Sequence, residues 1–121
     1  MTGILLLAHG SREGDTEKTM RQITKYVKAE LKIDMIEEAY LQFRDKNLEK
    51  GLLGLIDRGA DDIKVIPYFL FEGVHIKEDI PAEIEEFRKN YPNVRITMGR
   101  TLGADRRLAE IVADRVKETG I

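Results

Sequence analysis

The chain has 121 residues, 42 % hydrophobic and 35 % charged, with a formal net charge of −2 and no cysteine. That length suits one domain over residues 1–121 with a real core, and the lack of thiols excludes disulfides, thiolate metal sites and iron–sulfur ligation. Near-balanced charge leaves no footprint for nucleic acid, and no apolar run approaches the roughly 20 residues of a membrane span, so a cytoplasmic protein with neither nucleic-acid nor membrane partner is expected.

Gly3 to His9 is a short, continuous apolar run, the pattern of a strand covered on both faces. Met20, Ile23, Val27 and Leu31 recur at helical spacing and predict an amphipathic helix over about Asp15 to Lys32, with Ser11 or Asp15 as its cap. Asp34 to Phe43 reads as a second strand with Met35, Ala39 and Leu41 as its apolar positions, although Glu37-Glu38 blurs its start. Leu48, Leu52, Leu55 and Ile56 mark a second helix, stopped by Gly59.

Ile63 to Pro67 is the third strand and is expected to run on into Tyr68 to Phe71. Ile80, Ile84, Phe87 and Tyr91 mark a third helix, with Pro81 tolerated in its first turn. Val94 to Met98 is a fourth strand, and Leu108, Ile111, Val112 and Val116 define a last helix. Strict β-α alternation predicts an α/β fold: a single doubly wound, four-stranded parallel sheet with helices on both faces. The sequence leaves strand order open. If it is 2-1-3-4, the first and third strands are neighbours at the switch point, and ligands bind there beyond the carboxyl ends of the strands.

Both histidines fall where that edge would be. His9 closes the first strand and is followed by Gly10-Ser11-Arg12, while His75 follows the third within Gly73-Val-His-Ile-Lys-Glu-Asp-Ile-Pro81. A lone histidine at a strand exit is more often a satisfied polar residue than a ligand. Two, opening glycine-containing loops at one edge, point to a shared metal ion or to proton transfer near neutral pH. Imidazole suits iron, cobalt, nickel and zinc. With no third protein ligand in view, an ion held loosely and passed on fits better than a structural zinc.

Around them, Ser11 either caps the following helix or contacts a ligand, and the amides of Gly10 to Arg12 offer an anion site. Arg12 and Lys77, with Arg44 and Arg100, are cations available to carboxylates, or simply solvated. Asp79 either caps the third helix or orients His75, and Glu72, three positions before His75, is either a solvated loop residue or a supporting carboxylate. Glycine-rich nucleotide motifs are absent, so no organic cofactor is expected.

Ala8-His-Gly-Ser-Arg12, together with Pro67-x-Phe-Leu-x-x-Gly-x-His-x-x-x-Asp-Ile-Pro81 and Arg100-Thr-Leu-Gly103, resembles the small CbiX and SirB group of class II tetrapyrrole chelatases. The resemblance covers essentially the whole chain. It implies insertion of a divalent ion (cobalt, nickel or iron, as substrate) into sirohydrochlorin or a related tetrapyrrole. His9 and His75 would bind the ion and help deprotonate the pyrrole nitrogens, with Ser11, Arg12, Gln42 and Lys77 around the substrate. Larger members carry two such units, and the single-unit form is expected to pair as a homodimer, either burying Tyr68 to Phe71 or leaving them to cover their own core.

One departure stands out. In this group the second strand usually ends aromatic-Leu-Glu, with the glutamate in the active site, whereas this chain has Tyr40-Leu41-Gln42. An amide donates and accepts hydrogen bonds but takes no proton at neutral pH. Non-catalytic metal or tetrapyrrole carriage is therefore the alternative, and an anion-binding regulatory module using Gly10 to Arg12 is a third reading.

Overall fold

The computed structural model describes residues 1–42 and 44–120, with His75 described by its backbone. Strands β1 (Thr2–Ala8), β2 (Ile36–Tyr40), β3 (Asp62–Pro67) and β4 (Arg95–Met98) alternate with helices α1 (Asp15–Leu31), α2 (Leu48–Asp57), α3 (Ile80–Arg88) and α4 (Arg106–Glu118). The sheet is parallel, in the order β2-β1-β3-β4. β1 therefore lies inside the sheet, flanked by β2 on one side and β3 on the other. Among the described residues no helix is long and apolar enough to cross a membrane.

Strand parity decides which side chains meet which helix. Leu5 and Leu7 of β1 share one face with Ala39, Ile63, Val65 and Ile96, beneath Leu48, Leu52 and Leu55 of α2 and Ile80 and Ile84 of α3. Ile4, Leu6 and Ala8 share the other with Ile36 and Tyr40, beneath Met20, Ile23 and Val27 of α1. Covered on both sides, β1 is buried from Gly3 to Ala8, which is why its sequence shows no alternation. α2 comes close because Gly51 faces the sheet: a Cβ there would lie 2.7 Å from Leu5 Cδ1 and 3.0 Å from Ala39 Cβ. A glycine inside a helix costs about 1 kcal/mol relative to alanine, and here the close approach offsets it.

Several expectations are corrected. α1 opens after Gly14 in a left-handed conformation (φ 82°) without a side-chain cap at that position, while the Ser11 hydroxyl, one of the two expected caps, accepts from the first-turn Thr16 amide at 3.2 Å and Asp15 is simply the first helical residue. β2 is shorter than expected, Ile36 to Tyr40, and Phe43, its expected end, lies outside the described residues. The glutamates that blurred its start point to opposite faces and are both partnered. Glu37 pairs with Lys46 and with Arg58 (2.7 Å), and Glu38 accepts from the Thr24 hydroxyl at 2.7 Å. β3 stops at Pro67. The Tyr68 amide still donates to Leu7, but the Phe69 amide turns back to the Pro67 carbonyl at 3.0 Å, leaving Leu70 and Phe71 exposed.

The largest departure is α4. Its apolar residues match the spacing of a core-facing stripe, yet among the described residues no α4 side chain is buried, and Ile111, Val112 and Val116 are 48, 62 and 43 % exposed. α4 packs extensively against no other element, so α1 is the one described helix packed on its face of the sheet.

Replacing Gly51 by valine would force a branched side chain against Leu5 and Ala39. Overpacking of this kind costs about 1–3 kcal/mol, and urea unfolding of Gly51→Val is expected to show a lower midpoint with an unchanged slope.

Candidate functional site

Beyond the carboxyl ends of β1, β2 and β3 the backbones remain bonded to one another. The Leu41 amide donates to the Ala8 carbonyl at 2.9 Å, the Gln42 amide to the His9 carbonyl at 2.8 Å, and the Tyr68 amide to the Leu7 carbonyl at 2.7 Å. The exits of β2 and β3 thus grip β1 from either side immediately before and at His9. Gly10 follows with φ 92°, and a Cβ there would lie 2.1 Å from the Gln42 carbonyl oxygen. Only glycine combines that backbone angle with so close an approach.

The His9 side chain is exposed, and its ring leans on buried Phe69 with centroids 4.3 Å apart at 60°. Sequence reasoning missed this contact, because it places Phe69 in a strand rather than in the turn that brings it under the imidazole. His9, Leu41, Tyr68, Phe69, Leu70, Phe71, Glu72, Gly73 and Ile76 line a mainly apolar hollow of about 430 Å³. A second hollow of about 640 Å³ shares Leu70, Phe71 and Glu72 and is bounded by Arg100, Thr101 and Leu102 from the segment after β4. That segment is tied down by the Gly99 amide on Val65 (2.8 Å) and the Leu102 amide on Phe69 (3.0 Å).

His75 opens a π-helical turn, His75–Asp79, that leads straight into α3. Turns of this wider kind are rare and recur at functional sites. Gly73 and Ile76, on either side of His75 in the chain, both line the hollow that contains His9, so the backbone carries both histidine positions to one sheet edge. The His75 side chain, expected as the second ligand, lies outside the described residues. Among the described residues no three metal-ligating side chains come together.

The remaining candidates divide. Glu72 lines both hollows. Arg12, Gln42 and Lys77 are exposed at or beside the same loops but do not line the His9 hollow. Asp79 has helical angles (φ −70°, ψ −45°) and makes no side-chain cap; the capping expectation fails because the π-helical turn has already begun the helical run. Arg44, offered by charge alone as an anion contact, sits 2.9 Å from Glu17 of α1, tying the loop after Gln42 to the helix that follows the His9 loop.

Nearby electrostatics support the scaffold. Burial pushes the Tyr40 hydroxyl up to about 12, helped by Glu38 and Glu17, so it stays protonated and serves as no base. At Glu37 burial alone would raise the carboxyl, but Lys46 and Arg58 outweigh it and hold the group below its ordinary 4.5.

A family model described as CbiX matches residues 3–119. The chain belongs to the CbiX family. It is 30 % identical to a sirohydrochlorin ferrochelatase of Priestia megaterium over all of this chain but only 46 % of that protein. It is also 30 % identical to a sirohydrochlorin cobaltochelatase of Sulfurisphaera tokodaii, covering 98 % of this chain and 93 % of that protein. The sirohydrochlorin chelatase SirB of Bacillus subtilis subspecies spizizenii, solved in complex with cobalt, superposes with a TM-score of 0.88 at 30 % identity, over 97 % of this chain and 50 % of SirB. The chain thus spans about half the length of some relatives and nearly all of another.

Two outcomes are expected. Gly10→Ala places a methyl group on the Gln42 carbonyl at a positive φ, and strain of this type costs about 1–3 kcal/mol; thermal unfolding should show a lowered Tm. The Glu37 ion pairs contribute stability that is present above the ordinary 4.5 and is lost as pH falls through the lowered folded value. The Tm gap between wild type and Glu37→Gln should therefore be widest near neutrality and close as the solution is acidified.

Proposed function

We propose that this chain inserts a divalent ion (cobalt, nickel or iron) into sirohydrochlorin or a closely related tetrapyrrole, with residues 1–121 acting as one chelatase unit that pairs with a second copy in the cytoplasm. The observation that carries this reading is the position of His9. It lines a hollow together with Glu72 and Gly73 of the segment leading into His75, in a chain matched to the CbiX family over residues 3–119.

The chemistry follows from what insertion demands. A flat macrocycle needs an apolar seat, and Leu70 and Phe71, which line the His9 hollow, are exposed at 51 and 82 %. Its peripheral carboxylates need cations, which Arg12, Lys77 and Arg100 supply around the rim. The incoming ion exchanges waters for the imidazoles of His9 and His75, which hold it over the ring. As the metal binds, two pyrrole N–H bonds break and the ring becomes a dianion neutralised by the ion. The two protons pass to neutral imidazole or to water. Base assistance of this kind is worth about 10²–10⁴ in rate, and a fixed orientation of ion and ring adds a proximity gain. Two imidazoles suit a cargo that must be released, where a closed set of four ligands would retain it.

Ser11 and Gln42 position the site in this reading. The Ser11 hydroxyl is engaged by the Thr16 amide, which rigidifies the turn after His9. Gln42 offers an amide where the related enzymes are expected to carry a carboxylate. Glu72, on the wall shared by both hollows, is the carboxylate available to take over proton transfer, and Asp79 lies on the turn that begins with His75. The amide at Gln42 also favours the second reading, a carrier that binds ion or tetrapyrrole without accelerating insertion.

Anaerobic spectrophotometry of sirohydrochlorin with cobalt, nickel and ferrous ions separates the two. The chelatase reading expects insertion faster than the protein-free reaction, a loss of about 100-fold or more in His9→Ala and a gain in Gln42→Glu. Tight binding with a rate equal to the protein-free reaction would establish the carrier instead.

A further inference from the structure

We infer that Phe69 is the positioning residue of this site: its buried ring, rather than a hydrogen bond, aims the His9 imidazole. The inference rests on the reading of His9 as a metal ligand proposed above and names what orients it. An imidazole that binds metal is ordinarily fixed through its second nitrogen, which donates to a carboxylate, a carbonyl or water. That bond sets the tautomer, turns the ring and makes the ligand more basic. His9 has no such support. Among the described residues neither of its ring nitrogens has a hydrogen-bond partner, and its ring–ring contact is with Phe69, centroids 4.3 Å apart and planes at 60°. Glu72 lines the same hollow without bonding to the imidazole.

Phe69 is held firmly enough to serve. Its amide donates to the Pro67 carbonyl and its carbonyl accepts from the Leu102 amide, both at 3.0 Å, so its backbone is fixed by its own turn and by the segment after β4. Its buried side chain belongs to the core that also contains Leu7, Val65, Ile76 and Ile80. Ile76 directly follows His75, and its amide donates to the Gly73 carbonyl at 3.1 Å. One packed cluster therefore contains both the ring beneath His9 and the turn that carries His75, so apolar packing sets how the two histidine positions stand relative to each other.

The chemistry of such a support differs from that of a hydrogen bond. A tilted ring pair favours one orientation of the imidazole plane and selects no tautomer, which leaves one nitrogen for an ion and the other for proton exchange with water. It also places no negative charge behind the ligand, so it lacks the extra hold on an ion that a carboxylate partner supplies. Without the aromatic ring, the His9 side chain redistributes among its staggered wells, and part of the population no longer faces the hollow. The worth of one ring pair corresponds to about 2- to 10-fold in that population.

The chain has two histidines, so in His75→Ala the remaining imidazole signals belong to His9. In that metal-free protein the inference expects nuclear Overhauser contacts between His9 and the Phe69 ring. It also expects Phe69→Leu, which keeps an apolar side chain in the core, to move the His9 signals to those of an unrestrained histidine. With both histidines present, Phe69→Leu should weaken cobalt(II) binding about 2- to 10-fold and slow insertion at subsaturating cobalt by the same factor, with KM for sirohydrochlorin unchanged. Val65→Ala, in the same core, should lower Tm while leaving the His9 signals and the cobalt affinity at their wild-type values. Missing Overhauser contacts, a measurement that needs no change at Phe69, overturn the positioning role. So does an equal loss of cobalt affinity in Val65→Ala, or unchanged affinity in folded Phe69→Leu while His9→Ala loses cobalt; each of these leaves the metal-ligand reading standing. Wild-type cobalt affinity in His9→Ala overturns that reading and the positioning role with it.

Discussion

The structure depends on the way three parallel strands are bonded together where β1 ends. The Leu7, Ala8 and His9 carbonyls accept amides from Tyr68, Leu41 and Gln42 at 2.7 to 2.9 Å, so β1 is held from both sides up to the residue whose side chain leaves the sheet. This works because β1 is flanked by β2 and β3 and apolar on both faces. Its alternating residues serve two separate cores, one under α2 and α3 and one under α1. A histidine at the end of such a strand is placed by the most rigid part of the fold, and the preference of ligands for the switch point of an open sheet follows from the same geometry.

Much of this was legible in the residues, and where it was not the reason is physical. Gly3 to His9 reads as a buried strand because six consecutive residues are buried, and Leu48, Leu52 and Leu55 read as a helix because their spacing matches a single packed face. The extent of β2 is obscured because Glu37 and Glu38 interrupt the apolar pattern; each is satisfied by partners that come from elsewhere in the chain. Tyr68 to Phe71 mislead for the opposite reason. Their apolar character suggests a longer strand, yet only Phe69 joins the main core while Leu70 and Phe71 stand exposed at the site. The two histidine loops stand out in the sequence because Gly10 follows His9 at the end of β1 and Gly73 shortly precedes His75 in the loop after β3. The support of His9 by Phe69 and the diversion of Arg44 to Glu17 depend on tertiary contacts that no local pattern encodes.

In the proposed chelatase reading the site must balance affinity against release. A protein that keeps its metal surrounds it with ligands and a second layer of hydrogen bonds. Here the described residues supply an exposed imidazole against an aromatic ring, beside two surface hollows. Rigidity comes from the backbone beneath the histidine rather than from a ring of ligands, which in the proposed chelatase reading would let a cation be oriented without being trapped. The same reasoning accommodates Gln42. Its main chain is what braces His9, whatever its side chain contributes to proton transfer, so an amide there alters the chemistry and leaves the scaffold untouched.

α4 follows the same principle of helices covering a sheet, but here the covering is incomplete. A parallel sheet exposed on part of one face and a capped, amphipathic helix with nothing buried are each unfavourable alone, and removing their apolar area from water is the main force that would correct both. The segment that leads into α4 walls the hollow that holds Glu72 and Arg100, so the last helix and the candidate site share one stretch of chain.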